Sequence, residues 1–192
     1  MKIIKIPDFQ YKKEDIEKVA RCFIHGGVVV YPTDTVYGIG CLATKPEPIE
    51  RIYTIKQRSG DKPLLVLVSD LDMAQDYFRI SKEQRDHIQE HWPGAVSFLL
   101  SSRGNLVQHS PEGLVVRLPK NEFLIRMIKR VGAPITSTSL NISGQGVARD
   151  PDKADFIRDN SSIDMVVDAG PLSGQPSRIV DIRDMKNKKI LR

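Results

Sequence analysis

Val28-Val29-Val30-Tyr31-Pro32-Thr33-Asp34-Thr35-Val36-Tyr37-Gly38-Ile39-Gly40 is the stretch on which the fold class turns. Its first four residues are β-branched or aromatic without a break, the pattern of a strand buried on both faces. Pro32 has no N–H to give to a ladder, so regular pairing ends there. Thr33, Asp34 and Thr35 are short and polar, bond readily to nearby backbone and favour a turn over a helix. Gly38 and Gly40 then admit backbone shapes closed to other residues, or the close approach of a ligand. A buried strand running into a polar, glycine-bounded loop is a frequent foundation for a site in an α/β protein. The same letters also read as a plain strand–turn–strand connection.

On the N-terminal side, residues 13–25 carry Ile16, Val19, Ala20 and Phe23 at helical spacing, and Gly26-Gly27 stop the helix. Residues 3–6 make a short strand before it. On the C-terminal side, residues 46–56 read as a helix with Pro48 near its first turn, followed by a basic loop to Pro63 and a buried strand over 64–68. Helices are expected over 71–78, 82–91 (capped by Ser81), 121–131 and 151–158, and strands over 95–100, 114–118, 165–168 and 178–182. A further strand starts at Ile135 and becomes a polar loop. Strands alternating with helices, some joined by hairpin-like links, predict an α/β fold with an open, twisted, mixed sheet in one domain over 1–192.

The chain has 192 residues, 40% of them hydrophobic, enough for a sizeable core. No apolar run reaches membrane-spanning length, and the opening residues are too briefly apolar for a signal peptide. Cys22 and Cys41 do not make a disulfide framework and read as reduced thiols of a cytoplasmic protein. A net charge of +5 favours anionic partners such as nucleotides or RNA.

Several short patterns lead nowhere. Gly38-x-Gly40-x-x-Ala43 imitates a dinucleotide fingerprint, but Pro32–Tyr37 intervene where a strand should end and no acidic residue follows for a ribose. Ser59-x-x-Lys62 lacks the companion motifs of a serine acylase. His87 and His91 stand four apart on an expected helix, a spacing that can bind zinc, but there is no Glu beside His87 and the reading finds no third ligand nearby in sequence, so a packed or exposed helix face is expected. Asn141-Ile142-Ser143 is a glycosylation sequon without meaning in the cytoplasm.

Three patterns carry more. Lys56-x-Arg58 with Lys62 reads as a phosphate clamp, although cations at a helix C-terminus also suit the helix dipole. Ser137-Thr138-Ser139-Leu140-Asn141 gathers hydroxyls and an amide at a strand end, as a solvated loop also would. Arg117 lies inside the apolar run Leu114–Leu118, and a buried guanidinium requires an anionic partner, from the protein or from a ligand.

Taken in order, Tyr31–Gly40, Lys56-Gln57-Arg58, Lys62-Pro63-Leu64, Trp92-Pro93-Gly94, Val116-Arg117, Ser139-Leu140-Asn141, Pro176–Asp181 and Ile190-Leu191-Arg192 resemble the YrdC family, the threonylcarbamoyl-AMP synthases. The resemblance spans essentially the whole chain. It implies an open twisted sheet around a large concave cavity. It also implies a reaction in which ATP, L-threonine and bicarbonate or CO₂ give threonylcarbamoyl-AMP, pyrophosphate and water. A separate transferase complex then delivers the threonylcarbamoyl group to tRNA. By the resemblance, Lys56, Arg58, Ser139 and Asn141 match the family's nucleotide-binding motifs, Lys56 and Arg58 being the catalytic pair. Thr33, Arg117 and Ser177 match positions lining the threonine and nucleotide cavity.

Ser59 stands where many members have Pro, and Leu67 where long two-domain members have His; both the latter and the chain's length suggest the short form. Mg²⁺ is expected on the ATP phosphates, because no carboxylate cluster is visible. A concave basic face invites weak, electrostatic binding of tRNA or other RNA. The rivals are a non-catalytic RNA-binding module and a paralogue with different nucleotide or carbamoyl chemistry.

Overall fold

A computed structural model describes residues 1–157 and 160–192. In chain order its elements are β1 (Lys2–Lys5), α1 (Lys13–Ile24), β2 (Val29–Tyr31), β3 (Gly38–Gly40), α2 (Pro46–Lys56), β4 (Leu65–Leu67), α3 (Leu71–Tyr77) and α4 (Lys82–Gln89). They continue with β5 (Val96–Leu100), β6 (Leu114–Arg117), α5 (Glu122–Val131), β7 (Ile135–Ser139), β8 (Met165–Asp168), β9 (Arg178–Asp181) and β10 (Lys189–Ile190). The ten strands form one mixed sheet in the order β1-β8-β2-β3-β7-β4-β6-β5-β9-β10. The expected fold class holds. No described helix is long and apolar enough to cross a membrane.

The expected helix signals act as read. Ser81 accepts from the Gln84 N–H while Gln84 answers to the Ser81 N–H, a reciprocal cap on α4. Asn121 caps α5 through the Leu124 N–H at 3.0 Å, and Gly132, at φ 77°, ends that helix. The helix expected over residues 151–158 is instead two 3₁₀ turns, Pro151–Lys153 and Asp155–Ile157. Ala154, at φ −98° and ψ 81°, breaks the run between them. The expected end at Arg158 lies outside the described residues.

One expectation about the central stretch changes. Gly38-Ile39-Gly40 is not loop but strand β3, antiparallel to both β2 and β7. Its glycines serve close approach rather than unusual backbone angles. A Cβ on Gly40 would stand 1.9 Å from the Thr136 carbonyl oxygen and 2.8 Å from the Tyr31 hydroxyl. Tyr31 fills that space and donates to the Thr136 carbonyl at 3.0 Å. The loop between β2 and β3 therefore caps a hairpin, and the strand–turn–strand and site-bearing readings coincide.

β2 is buried on both faces. Val29 and Tyr31 join a core with α1 and α5, while Val28 and Val30 join another with α2. A third core lies under α3 and α4, against Phe98, Leu100, Leu114 and Val116. Residues on the α1/α5 side alternate with those facing α2, α3 and α4. On that first side, Val29, Leu67 and Ile135 are covered by the two helices. Farther along it, Ser137, Leu65, Val115, Arg117 and Ile179 line an open cavity. The twisted sheet thus carries a core and a site on one face.

Candidate active site

The cavity has a volume of about 230 Å³ and is walled by the β2–β3 loop, the starts of β3 and β4, the ends of β6 and β7, and the segment entering β9. A second recess of about 350 Å³, lined by Lys56, Arg58, Lys62, Ser139 and Asn141, adjoins it. Arg58 and Ser139 belong to the walls of both. The expected site residues thus gather in two connected spaces: Thr33, Arg117 and Ser177 in the first, the Lys-x-Arg and Ser-x-Asn residues around the second.

Arg117 is only 3% exposed. Its Nη2 lies 3.2 Å from Asp34 Oδ1, an ion pair without aligned hydrogen-bond geometry. Arg117 Nε and Nη1, together with Asp34 Oδ1, have no hydrogen-bond partner among the described residues. Burial pushes the guanidinium below its usual pKa, and Asp34 works against that shift. Unpaired buried donors are costly. The Arg117 residue that carries these donors belongs to the cavity wall.

The β2–β3 loop is built around Thr33. Its hydroxyl accepts from the N–H groups of Thr35 (3.0 Å) and Val36 (3.2 Å) and pairs with the Thr35 hydroxyl at 2.8 Å. Thr33 also reaches the Val36 carbonyl at 2.7 Å. This turn chemistry holds Asp34 against Arg117. Tyr37 fixes the loop's far end, accepting from the Ala169 N–H and donating to the Gly170 carbonyl, both at 2.8 Å. Thr33 lines the cavity with its oxygen already engaged, so Thr35, which sequence reasoning missed, shares its place on the wall.

Lys56 departs from an open clamp. It is 1% exposed, and its three ammonium donors go to the carbonyls of Ser139 (2.6 Å) and Asn141 (2.8 Å) and to Asn141 Oδ1 (2.9 Å). Ser139 donates its hydroxyl to the same Oδ1 at 2.8 Å. Lys56 therefore ties the end of α2 to the strand end that carries Ser-x-Asn, and lends its charge to the second recess. Burial, then the neighbouring Arg58 charge, pushes its pKa down to about 8. Gln57, at φ 49°, turns the chain in the left-handed region so that Lys56 points inward while Arg58 crosses to the cavity. Arg58 is held by the loop carbonyls of Lys62 (3.1 Å) and Pro63 (3.2 Å). Lys62 is exposed at the rim of the recess.

Ser177 is buried, and its hydroxyl pairs with Ser97 at 2.8 Å. Its carbonyl accepts from Arg192 Nε and Nη2, at 3.1 and 3.0 Å. β10 folds back along β9 and so returns Arg192 to the cavity wall. Sequence reasoning noted Arg192 only within a motif; its place in the wall depends on the pairing of Lys189 with Asp181 and of Ile190 with Val180. Position 67 lies elsewhere: Leu67 is fully buried under α5, against Ile135 and Phe123, and does not line the cavity.

The family model for Sua5/YciO/YrdC, described as telomere recombination, matches residues 22–192. The chain belongs to this family. A threonylcarbamoyl-AMP synthase of Xanthomonas campestris pv. campestris (strain B100) is 33% identical over 189 residues, covering 93% of this chain and 97% of that protein. One of Vibrio vulnificus (strain YJ016) is 30% identical over 184 residues, with the same coverage. Among solved structures, P. abyssi Sua5 complexed with L-threonine superposes with a TM-score of 0.90 at 24% identity. It covers all of this chain, and this chain spans 57% of that one. E. coli YciO superposes with a TM-score of 0.86 at 24% identity, covering all of this chain and 93% of its own. At that identity the two structures speak for the Sua5/YciO/YrdC fold, as expected from the resemblance.

Proposed function

We propose that this member of the family is an L-threonylcarbamoyladenylate synthase, a nucleotidyltransferase that forms threonylcarbamoyl-AMP and pyrophosphate from ATP, L-threonine and bicarbonate or CO₂. The observation that carries the reading is the pair of joined recesses, one floored by a buried Arg117 with unpartnered donors, the other ringed by Lys56, Arg58 and Lys62. The relatives named threonylcarbamoyl-AMP synthase support it over nearly their whole length.

In this reading Arg117 takes the threonine carboxylate, with the Thr33–Thr35 hydroxyl pair and Ser177 around the rest of the amino acid. The amine adds CO₂ to give a carbamate and releases a proton. A carbamate oxygen then attacks the α-phosphorus of ATP, and the bond to the β-phosphate oxygen breaks as pyrophosphate leaves. Charge gathers on phosphate oxygens in the transition state, so fixed cations lower the barrier more than a base would. Arg58 stands where the two recesses meet and bridges the reacting groups. Lys56 holds Ser139 and Asn141 in place and adds its charge, while Lys62 receives the departing phosphates at the rim. Among the described residues that line the two recesses there is no carboxylate, and an Mg²⁺ ion would enter with the nucleotide as part of the substrate.

The enzyme would act in the cytoplasm and pass its product to a threonylcarbamoyl transferase complex. Pyrophosphate release tests the reading: it should require ATP, threonine and bicarbonate together. Release without threonine would indicate a paralogue with other nucleotide chemistry, and no release would favour an RNA-binding module.

A further inference from the structure

On the sheet face opposite the cavity, the end of α4 closes over Phe98. The rings of His87 and His91 stand 5.7 and 5.8 Å from the Phe98 ring, and 4.7 Å from each other, centroid to centroid. His87 is on the last turn of α4; Glu90 and His91 follow on the next turn, which stays wound by a His91 N–H to Ile88 carbonyl bond of 3.0 Å. His87 Nδ1 lies 3.4 Å from Glu90 Oε2. One ligand atom from each of His87, Glu90 and His91 falls within 4.8 Å of the others.

We propose that His87, Glu90 and His91 form a binding site for a divalent transition-metal ion, with zinc the best match. Two imidazoles and one carboxylate are a borderline donor set that suits zinc and leaves a fourth position to water. The spacing read from sequence as two histidines without a partner gains its third ligand from Glu90, three residues after His87 rather than beside it. In a tetrahedral site with bonds of about 2.0–2.1 Å, ligand atoms stand roughly 3.3 Å apart, so the trio needs only a modest contraction. Glu90 is exposed and supplies that movement, while Phe98 backs both rings and limits theirs. His91 Nδ1 shares a hydrogen bond with the His87 carbonyl at 3.0 Å, the kind of second contact that orients a ligating histidine. Among the described residues, the cation that bears on His87 from a neighbouring segment is Lys188, which is exposed and screened by solvent. The ion would pin the turn after α4 to the helix.

Calorimetric titration of the full chain, free of any tag, with zinc chloride at neutral pH tests the proposal. One ion per chain is expected. Glu90→Gln should weaken binding by about tenfold or more, at least the loss that follows from removing a mere outer partner of a ligand. His87→Ala/His91→Ala should abolish it, and His25→Ala and His109→Ala should leave it unchanged. Glu90→Gln alters an exposed side chain, so it keeps the test readable should the double variant unfold. Absence of binding in the wild type, or wild-type affinity in Glu90→Gln, would overturn the site.

Discussion

Arg117 shows how much a single side chain can say about a ligand. Strand β6 carries it into a place where water cannot solvate it, and Asp34 supplies only one of its contacts. Removing it to alanine would strand the Asp34 carboxylate, at a cost of about 3–5 kcal/mol, and confuse folding with function. Arg117→Lys keeps the charge and loses the planar fork. It should raise the KM for threonine by about tenfold or more while changing that for ATP little, as steady-state kinetics with each substrate varied will read; equal effects on both would assign Arg117 to the cavity as a whole.

Lys56 makes a prediction with a pH attached. With its pKa pushed down to about 8, the ammonium that ties Ser139 and Asn141 is charged below that value and lost above it. The profile of kcat/KM for ATP should fall as pH rises through about 8, and Lys56→Ala should show no such step on a baseline lowered roughly 10²-fold. The sign for stability is opposite. Between about 8 and the ordinary value of 10.5 the unfolded chain holds more protons at this lysine than the folded one, so this group's contribution to stability rises with pH in that window.

Among the elements, α2 shows what was legible in sequence. Pro at its start and a stripe of isoleucines gave its bounds, Pro46–Lys56, because those signals are local. β3 was legible only as one of two readings, the strand after a turn. Three residues with two glycines have no strand propensity, and the reason for the glycines lies across the sheet, in the Thr136 carbonyl and the Tyr31 ring. For the same reason the site motifs were visible as letters while their partners were not: Asp34 for Arg117, the Ser139 and Asn141 carbonyls for Lys56, and the returning Arg192 for Ser177. Gly40→Ala should destabilise by about 1–3 kcal/mol or more, since the backbone it meets cannot yield, and urea denaturation will measure it. Leu67→His puts an imidazole into the core that holds Ile135 and Phe123. It should cost about 1–3 kcal/mol by the same assay, and leave the KM values for both substrates near wild type in the fraction that folds.

At the scale of the molecule, one sheet face is divided. α1 and α5 seal the part beneath Val29, Leu67 and Ile135, and the part around Ser137, Arg117 and Ile179 stays open. That division gives the α/β sheet a concave site beside its core. The chain carries a net charge of +5, so any RNA binding should be mainly electrostatic, weakening steeply as salt is raised and showing little sequence preference. The central claim is that the two recesses join a threonine carbamate to the α-phosphate of ATP. Mass spectrometry of the product formed from ATP, threonine and ¹³C-bicarbonate tests it most directly. The account predicts an adenylate that contains threonine and one labelled carbon, formed in step with pyrophosphate; ATP turned over to an unlabelled nucleotide, with threonine recovered unchanged, would contradict it.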